Sequence, residues 1–96
     1  MRLGADKAVR VLDALAQEHR LAVVRLLCRA PRRRMAAGAI GEALGLPSSL
    51  LAFHLAQLRL AGLISQERQG RWLIYSTQPE TIDGLVRFLL ENCRDA

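Results

Sequence analysis

Hydrophobic residues recur along this chain at two spacings, and the change from one to the other divides it into elements. In ADKAVRVLDALA, residues 5–16, Ala8, Val9, Leu12, Leu15 and Ala16 recur at helical spacing, which predicts a helix. A second helix is predicted over about 18–29, with Leu21, Val24, Leu27 and Cys28 along one side. The stretch APRRRM ends it, because Pro31 carries no backbone N–H and disfavours helical geometry at the residue before it. AAGAIGEALGL, residues 36–46, suits a short third helix ending near Gly45. In LPSSLLAFHLAQLRLAGLI, Leu51, Leu55 and Leu58 form one stripe of a fourth helix. Ser48 or Ser49 is placed to cap it, with Pro47 just ahead. Gly62 stands where that helix needs a left-handed stop, and Leu63 follows as the apolar partner of the cap.

Beyond Gly62 the period drops to two. QERQGRWLIYS, residues 66–76, predicts a hairpin with strands at about 63–68 and 71–76, joined through Gln69 and Gly70. Glycine accepts the positive φ that tight hairpin turns demand. Trp72, Ile74 and Ser76 share one face of the second strand and Leu73 and Tyr75 the other, and at least one face is expected to pack on the helices. Pro79 suits the first turn of a last helix, along which Ile82, Leu85, Val86, Leu89, Leu90 and Cys93 make a long apolar stripe. The order is therefore ααααββα: mainly α with a β-hairpin, in one domain over residues 1–96, without repeats, low-complexity tracts or a linker.

With the leucine stripe inward, Ser49, Ala52, Phe53, Ala56 and Leu60 of the fourth helix turn outward. Small side chains let a helix backbone approach base edges in a DNA major groove, where serine can hydrogen-bond and alanine or phenylalanine can touch a thymine methyl. Exposed apolar groups at helical spacing also mark protein–protein faces, so a protein adaptor is the alternative. A short helix, a sharp turn and a second helix beginning in serines form a helix-turn-helix pattern, and the hairpin after it would lie beside the groove as a wing. Arg68 and Arg71 flank the bend, and guanidinium groups suit bidentate phosphate contact or a narrow minor groove.

Composition and charge sharpen this picture. The 96 residues are 51% hydrophobic but only 4% aromatic, which fits short helices with aliphatic packing and excludes a disordered chain. No apolar run approaches the roughly 20 residues that span a bilayer. The start, MRLGADKAVRVLDAL, lacks the uninterrupted apolar centre of a signal peptide, so a cytoplasmic location away from membranes is expected. The net charge is +5. Its positive excess lies between residues 20 and 71, where Arg20, Arg25, Arg29, Arg32, Arg33, Arg34, Arg59, Arg68 and Arg71 face only Glu42 and Glu67. Such a concentration is how an electrostatic footprint for phosphate looks, with a solvated arginine-rich surface as the alternative on charge alone. The chain offers no nucleophile–base constellation and no glycine-rich phosphate loop, so an enzyme is not expected.

The segments EHRLAVVRLL, IGEALGLPSSLLAFHLAQLRLAGLI and RQGRWLIYS together resemble the ArsR/SmtB family of bacterial winged-helix repressors, over about residues 10–93. The resemblance implies a winged helix-turn-helix homodimer joined through its first and last helices. It also implies a near-palindromic double-stranded operator, repression of a nearby promoter, and release by a metal, a metalloid or a thiol oxidant. Base contacts would fall on Ser48, Ser49, Ala52 and Phe53, with His54 and Gln57 beside them and Arg68, Gln69 and Arg71 in the wing. His54 lies at the margin of the leucine stripe, where packing or a phosphate contact is favoured over metal ligation.

The chain also departs from that family. Its Cys-x-Cys arsenic motif falls on Ala36 and Gly38, and its zinc site on the last helix finds no histidine in PETIDGLVRFLLENC. That ending resembles arsenic-responsive members closing in Glu-Asn-Cys-Cys, with Arg94 in place of the second cysteine. A persulfide-sensing subgroup instead pairs a cysteine of the second helix with one of the last; Cys28 and Cys93 fall on those helices, with Cys28 about one turn late for that pattern. Three readings stand for these cysteines: small buried hydrophobes, a thiol site for trivalent arsenic or antimony, and a redox pair.

Overall fold

The computed structural model describes residues 2–93. Its elements are α1 (Ala5–Leu15), α2 (Glu18–Arg29), a single 3₁₀ turn (Pro31–Arg33), β1 (Arg34–Ala36), α3 (Ala37–Leu44), α4 (Ser48–Leu60), β2 (Ile64–Gln69), β3 (Trp72–Thr77) and α5 (Pro79–Leu90). The helical order and the hairpin match the expectation. The additional strand, β1, pairs antiparallel with β3 (Arg34 with Ser76, Ala36 with Ile74) and completes a sheet ordered β1-β3-β2. Three residues are too few to show an alternating pattern, so nothing in the sequence announced β1.

Local chemistry explains most boundaries. Gln17 opens α2 by accepting a hydrogen bond from the Arg20 N–H at 2.9 Å, a capping role the sequence reading did not assign. α4 closes as expected. Gly62 holds φ 78°, the Leu63 N–H donates to the Leu58 carbonyl and the Gly62 N–H to the Arg59 carbonyl, both at 3.0 Å. This is the Schellman arrangement, and its apolar partners Leu58 and Leu63 are both fully buried. The start of α4 corrects the expected serine cap. The Pro47 carbonyl accepts the first helical bond, from Leu51 N–H at 2.9 Å, so Pro47 occupies the cap position and Ser48 and Ser49 already lie in the first turn.

The hairpin turn also sits one residue later than expected. Gln69 pairs with Trp72, so the two-residue loop is Gly70–Arg71. Gly70 holds φ 63° and Arg71 does not share the positive φ, the pattern of a type II′ turn with glycine at its first central position.

Leu27, Ile40, Leu58, Leu63, Val11 and Val23 are the largest fully buried side chains, and they draw α1, α2, α3 and α4 together. α3 meets the start of α4 closely: a Cβ on Gly41 would stand 3.3 Å from both the Leu46 carbonyl oxygen and Leu51 Cδ2. The sheet turns Tyr75 and Thr77 inward onto this core, with Leu73 half-buried beside them, and leaves residues 66–72 exposed as a projecting tip.

Two expected stripes divide between the core and the outside. On α1 the core takes Ala8, Val11 and Ala14, while Val9 and Leu12 remain 63% and 41% exposed. On α5 it takes Thr81, Gly84 and Leu85, while Val86 and Leu89 remain about half exposed. On α2, Leu21 and Cys28 were expected beside Val24 and Leu27, but both are exposed and Val23 fills the interior instead.

Candidate nucleic-acid interface

α3 and α4 meet at 112° across a three-residue turn, Gly45–Pro47, in which Gly45 takes φ 65°. That angle and turn length are those of a helix-turn-helix. The outward face of α4 is as the leucine spacing predicts: Ser48, Ser49, Ala52, Phe53, Ala56 and Leu60 are all exposed, Phe53 at 55%. No side chain caps this end of the helix, so the two serine hydroxyls are not taken up in capping it. Gln57 is half-buried, at the edge of the same face.

A groove of about 510 Å³ runs between the helix-turn-helix and the sheet, and Ser48, Ala52, Leu73 and Tyr75 all contribute to its walls. Arg68 pairs directly with Leu73 across the hairpin and therefore lies on the same sheet face as this groove. Arg71 lies in the loop and Gln69 ends β2 on the opposite face. Among the described residues neither Arg68 nor Arg71 joins an ion pair. The one nearby carboxylate on the hairpin, Glu67, is engaged elsewhere, 3.5 Å from Arg34 and 3.3 Å from the Gln69 amide. Two uncompensated guanidinium groups thus flank the tip of a hairpin beside the serine-led end of α4.

His54 was expected beside the base-contacting residues, in packing or on a phosphate, and the structure has it in packing: the residue is only 4% exposed and turned into the protein, away from the outer face of α4. Arg20 Nη1 donates to His54 Nδ1 at 3.3 Å, while Arg20 Nε donates to the Ala14 carbonyl at 2.8 Å. Since arginine has no acceptor, this bond places the imidazole proton on Nε2, which has no hydrogen-bond partner. Burial, the Arg20 charge and nearby His19 all push the His54 pKa below its ordinary value. The residue, through Arg20, ties the inner side of α4 to the α1–α2 corner. Sequence reasoning missed Arg20, which carries no local signal for this role.

Cys28 and Cys93 are both exposed, which overturns the reading of them as buried hydrophobes within the protomer. Among the described residues no three histidine, cysteine or acidic side chains gather as a metal site. Trivalent arsenic and antimony favour two or three thiolates, and among the described residues no such three-ligand cluster is formed. No single described helix is long and apolar enough to cross a membrane.

A bent helix pair with an exposed outer face on its second helix, followed by a hairpin tipped in arginine, defines a winged helix-turn-helix domain. The family described as "Helix-turn-helix domain" matches residues 15–67. Among curated proteins the chain is 28% identical over 89 residues to the HTH-type transcriptional regulator YgaV of Escherichia coli, covering 93% of this chain and 88% of that one. It is 33% identical over 73 residues to the arsenical resistance operon repressor of Bacillus subtilis, covering 76% and 68%. Among solved structures it superposes with a TM-score of 0.73 at 30% identity, over 92% of this chain and 77% of the other, on a Mycobacterium bovis protein described as a homodimeric winged helix-turn-helix DNA-binding domain. The chain belongs to the ArsR/SmtB family of winged-helix transcriptional regulators.

Proposed function

We propose that the protein is a homodimeric repressor, a single domain over residues 1–96, that binds a near-palindromic operator through α4 and the wing of each protomer. The observation that carries this reading is the juxtaposition of the exposed Ser48–Phe53 face with the unpaired Arg68 and Arg71. Ser48, Ser49, Ala52 and Phe53 meet base edges, Gln57 lies at their margin, and Arg68, Gln69 and Arg71 hold the backbone. Dimerisation through α1 and α5 is supported by Val9, Leu12, Val86 and Leu89, which the protomer leaves open, and by the homodimeric M. bovis neighbour. A two-fold axis between these helices would set two reading helices about 34 Å apart, the spacing of successive major grooves.

Exposed Cys28 and Cys93 support release by a thiol-reactive effector over release by an ion coordinated within one protomer. The test is a binding titration. An inverted-repeat duplex should bind at nanomolar levels and a scrambled one at least roughly a thousandfold more weakly; equal affinities would defeat the reading. Arsenite, antimonite, zinc and persulfide are then added to the complex formed by wild type, Cys28→Ser and Cys93→Ser. Persulfide should release wild type and spare the variants. Release by arsenite that both variants abolish would point instead to a thiol site completed between protomers. If the four agents all leave the complex intact, the protein regulates without sensing through its thiols.

A further inference from the structure

A second cationic surface lies on the sheet face that turns away from α4. Between α2 and β1 the chain reverses through Arg32 and Arg33, which both hold left-handed backbone, φ 56° and 57°. Side chains with a Cβ seldom adopt that conformation, and glycine or asparagine would hold it with less strain. Two consecutive arginines therefore stand where local preference disfavours them. Both are exposed, and among the described residues neither joins an ion pair.

This turn connects with the wing. Arg32, Arg34, Met35, Ala36, Gln69 and Ile74 line one groove of about 360 Å³, which runs along the outer sheet face from the arginine turn to the end of β2. Glu67 is the only carboxylate among the strand residues, and Arg34 neutralises it at 3.5 Å. Trp72 pairs with Gln69 on the same face and is 61% exposed. The result is a shallow strip with an aromatic ring at one end and free guanidinium groups at the other. It is continuous through Gln69 with the hairpin tip that carries Arg71. Guanidinium forks match phosphate oxygens, and an exposed indole can pack on a sugar.

We propose that this strip is a second, sequence-independent phosphate-binding surface, which takes the duplex backbone beyond the bases that α4 reads as flanking DNA leaves the wing and bends against the sheet. The inference rests on the operator-binding reading above. It assigns the arginine excess to two surfaces: α4 with the wing tip recognises the operator, and Arg32 and Arg33 hold its flanks.

The experiment compares two duplexes, the bare inverted repeat and the same repeat extended by about one helical turn on each side, across a salt series. Wild type, Arg32→Asn/Arg33→Asn and Arg32→Lys/Arg33→Lys are measured on both. Asparagine tolerates the left-handed backbone, so the first variant removes charge without breaking the turn. Wild type should bind the long duplex at least roughly fivefold more tightly, with a salt slope steeper by about 2 to 4, as expected for two to four extra phosphates per dimer. The asparagine variant should lose that gain while keeping wild-type affinity for the short duplex, and the lysine variant should retain most of it. Equal slopes for wild type on both lengths would overturn the proposal, as would an asparagine variant weakened equally on both. Loss of preference for the inverted repeat over a scrambled short duplex is a separate result that strikes the operator reading; the length comparison can still be made on scrambled DNA.

Discussion

The imidazole of His54 sits on the inner side of α4, with a cation 3.3 Å from Nδ1 and an Nε2 that has no partner among the described residues. Because its folded pKa is depressed, it is held neutral, and protonation would set a buried cation beside the half-buried Arg20 guanidinium. Stability from this source is complete above the unfolded value, about 6.5, and is lost as pH falls below it toward the folded value. Melting temperature should therefore decline as pH falls below about 6.5, and His54→Gln should flatten that decline; parallel curves for the two proteins would rule the residue out as its source. Arg71→Ala should weaken binding to every duplex alike and lower the salt slope by roughly one per protomer, whereas an unchanged slope would remove Arg71 from the phosphate contacts. The outward residues of α4 were legible because Ala52, Phe53 and Ala56 fall between the leucines at positions that geometry must expose. Position 54 lies three residues after Leu51 and four before Leu58, so the same geometry places it inside. The sequence left packing and a phosphate contact both open there, since burial of a histidine depends on a partner from a distant element, here Arg20.

At the scale of elements, the end of α4 was readable down to its atoms, because a Gly-Leu pair after an apolar helix has few other uses. Gly62→Ala should lower unfolding free energy by about 1–2 kcal/mol in chemical denaturation, since alanine disfavours a φ of 78° and its Cβ would stand 3.1 Å from Lys7 Nζ. No loss would mean that the chain finds another stop. The helix start was misassigned by one residue because proline can hold the cap position through its carbonyl alone. The hairpin slipped by one for a related reason: Gln-Gly and Gly-Arg are both admissible loops, and the cross-strand register that decides between them is set by which face of β3 packs inward. β1 escaped notice because an edge strand of three residues draws its stability from β3 rather than from its own pattern.

For the whole molecule, the leucine- and valine-rich outer sides of α1 and α5 are the features that the isolated protomer does not explain. Their apolar residues were visible in the sequence, but their partition was not, since periodicity cannot say which apolar side meets the protomer's own core. Leu89→Glu should give a monomer in sedimentation and lower operator affinity by roughly a hundredfold or more, because it would set two unpaired carboxylates into the proposed interface of α1 and α5. A variant that stays dimeric would move the interface elsewhere. One consequence follows from the reading helix itself. Leu51, His54, Leu55 and Leu58 hold it in place, while Ser49, Ala52, Phe53 and Ala56 face outward. Anchoring and vocabulary are thus written on separate letters of one 13-residue word. If the outward set reads the operator as proposed, its preference can drift, or be re-engineered, by rewriting that set while the first keeps the scaffold standing.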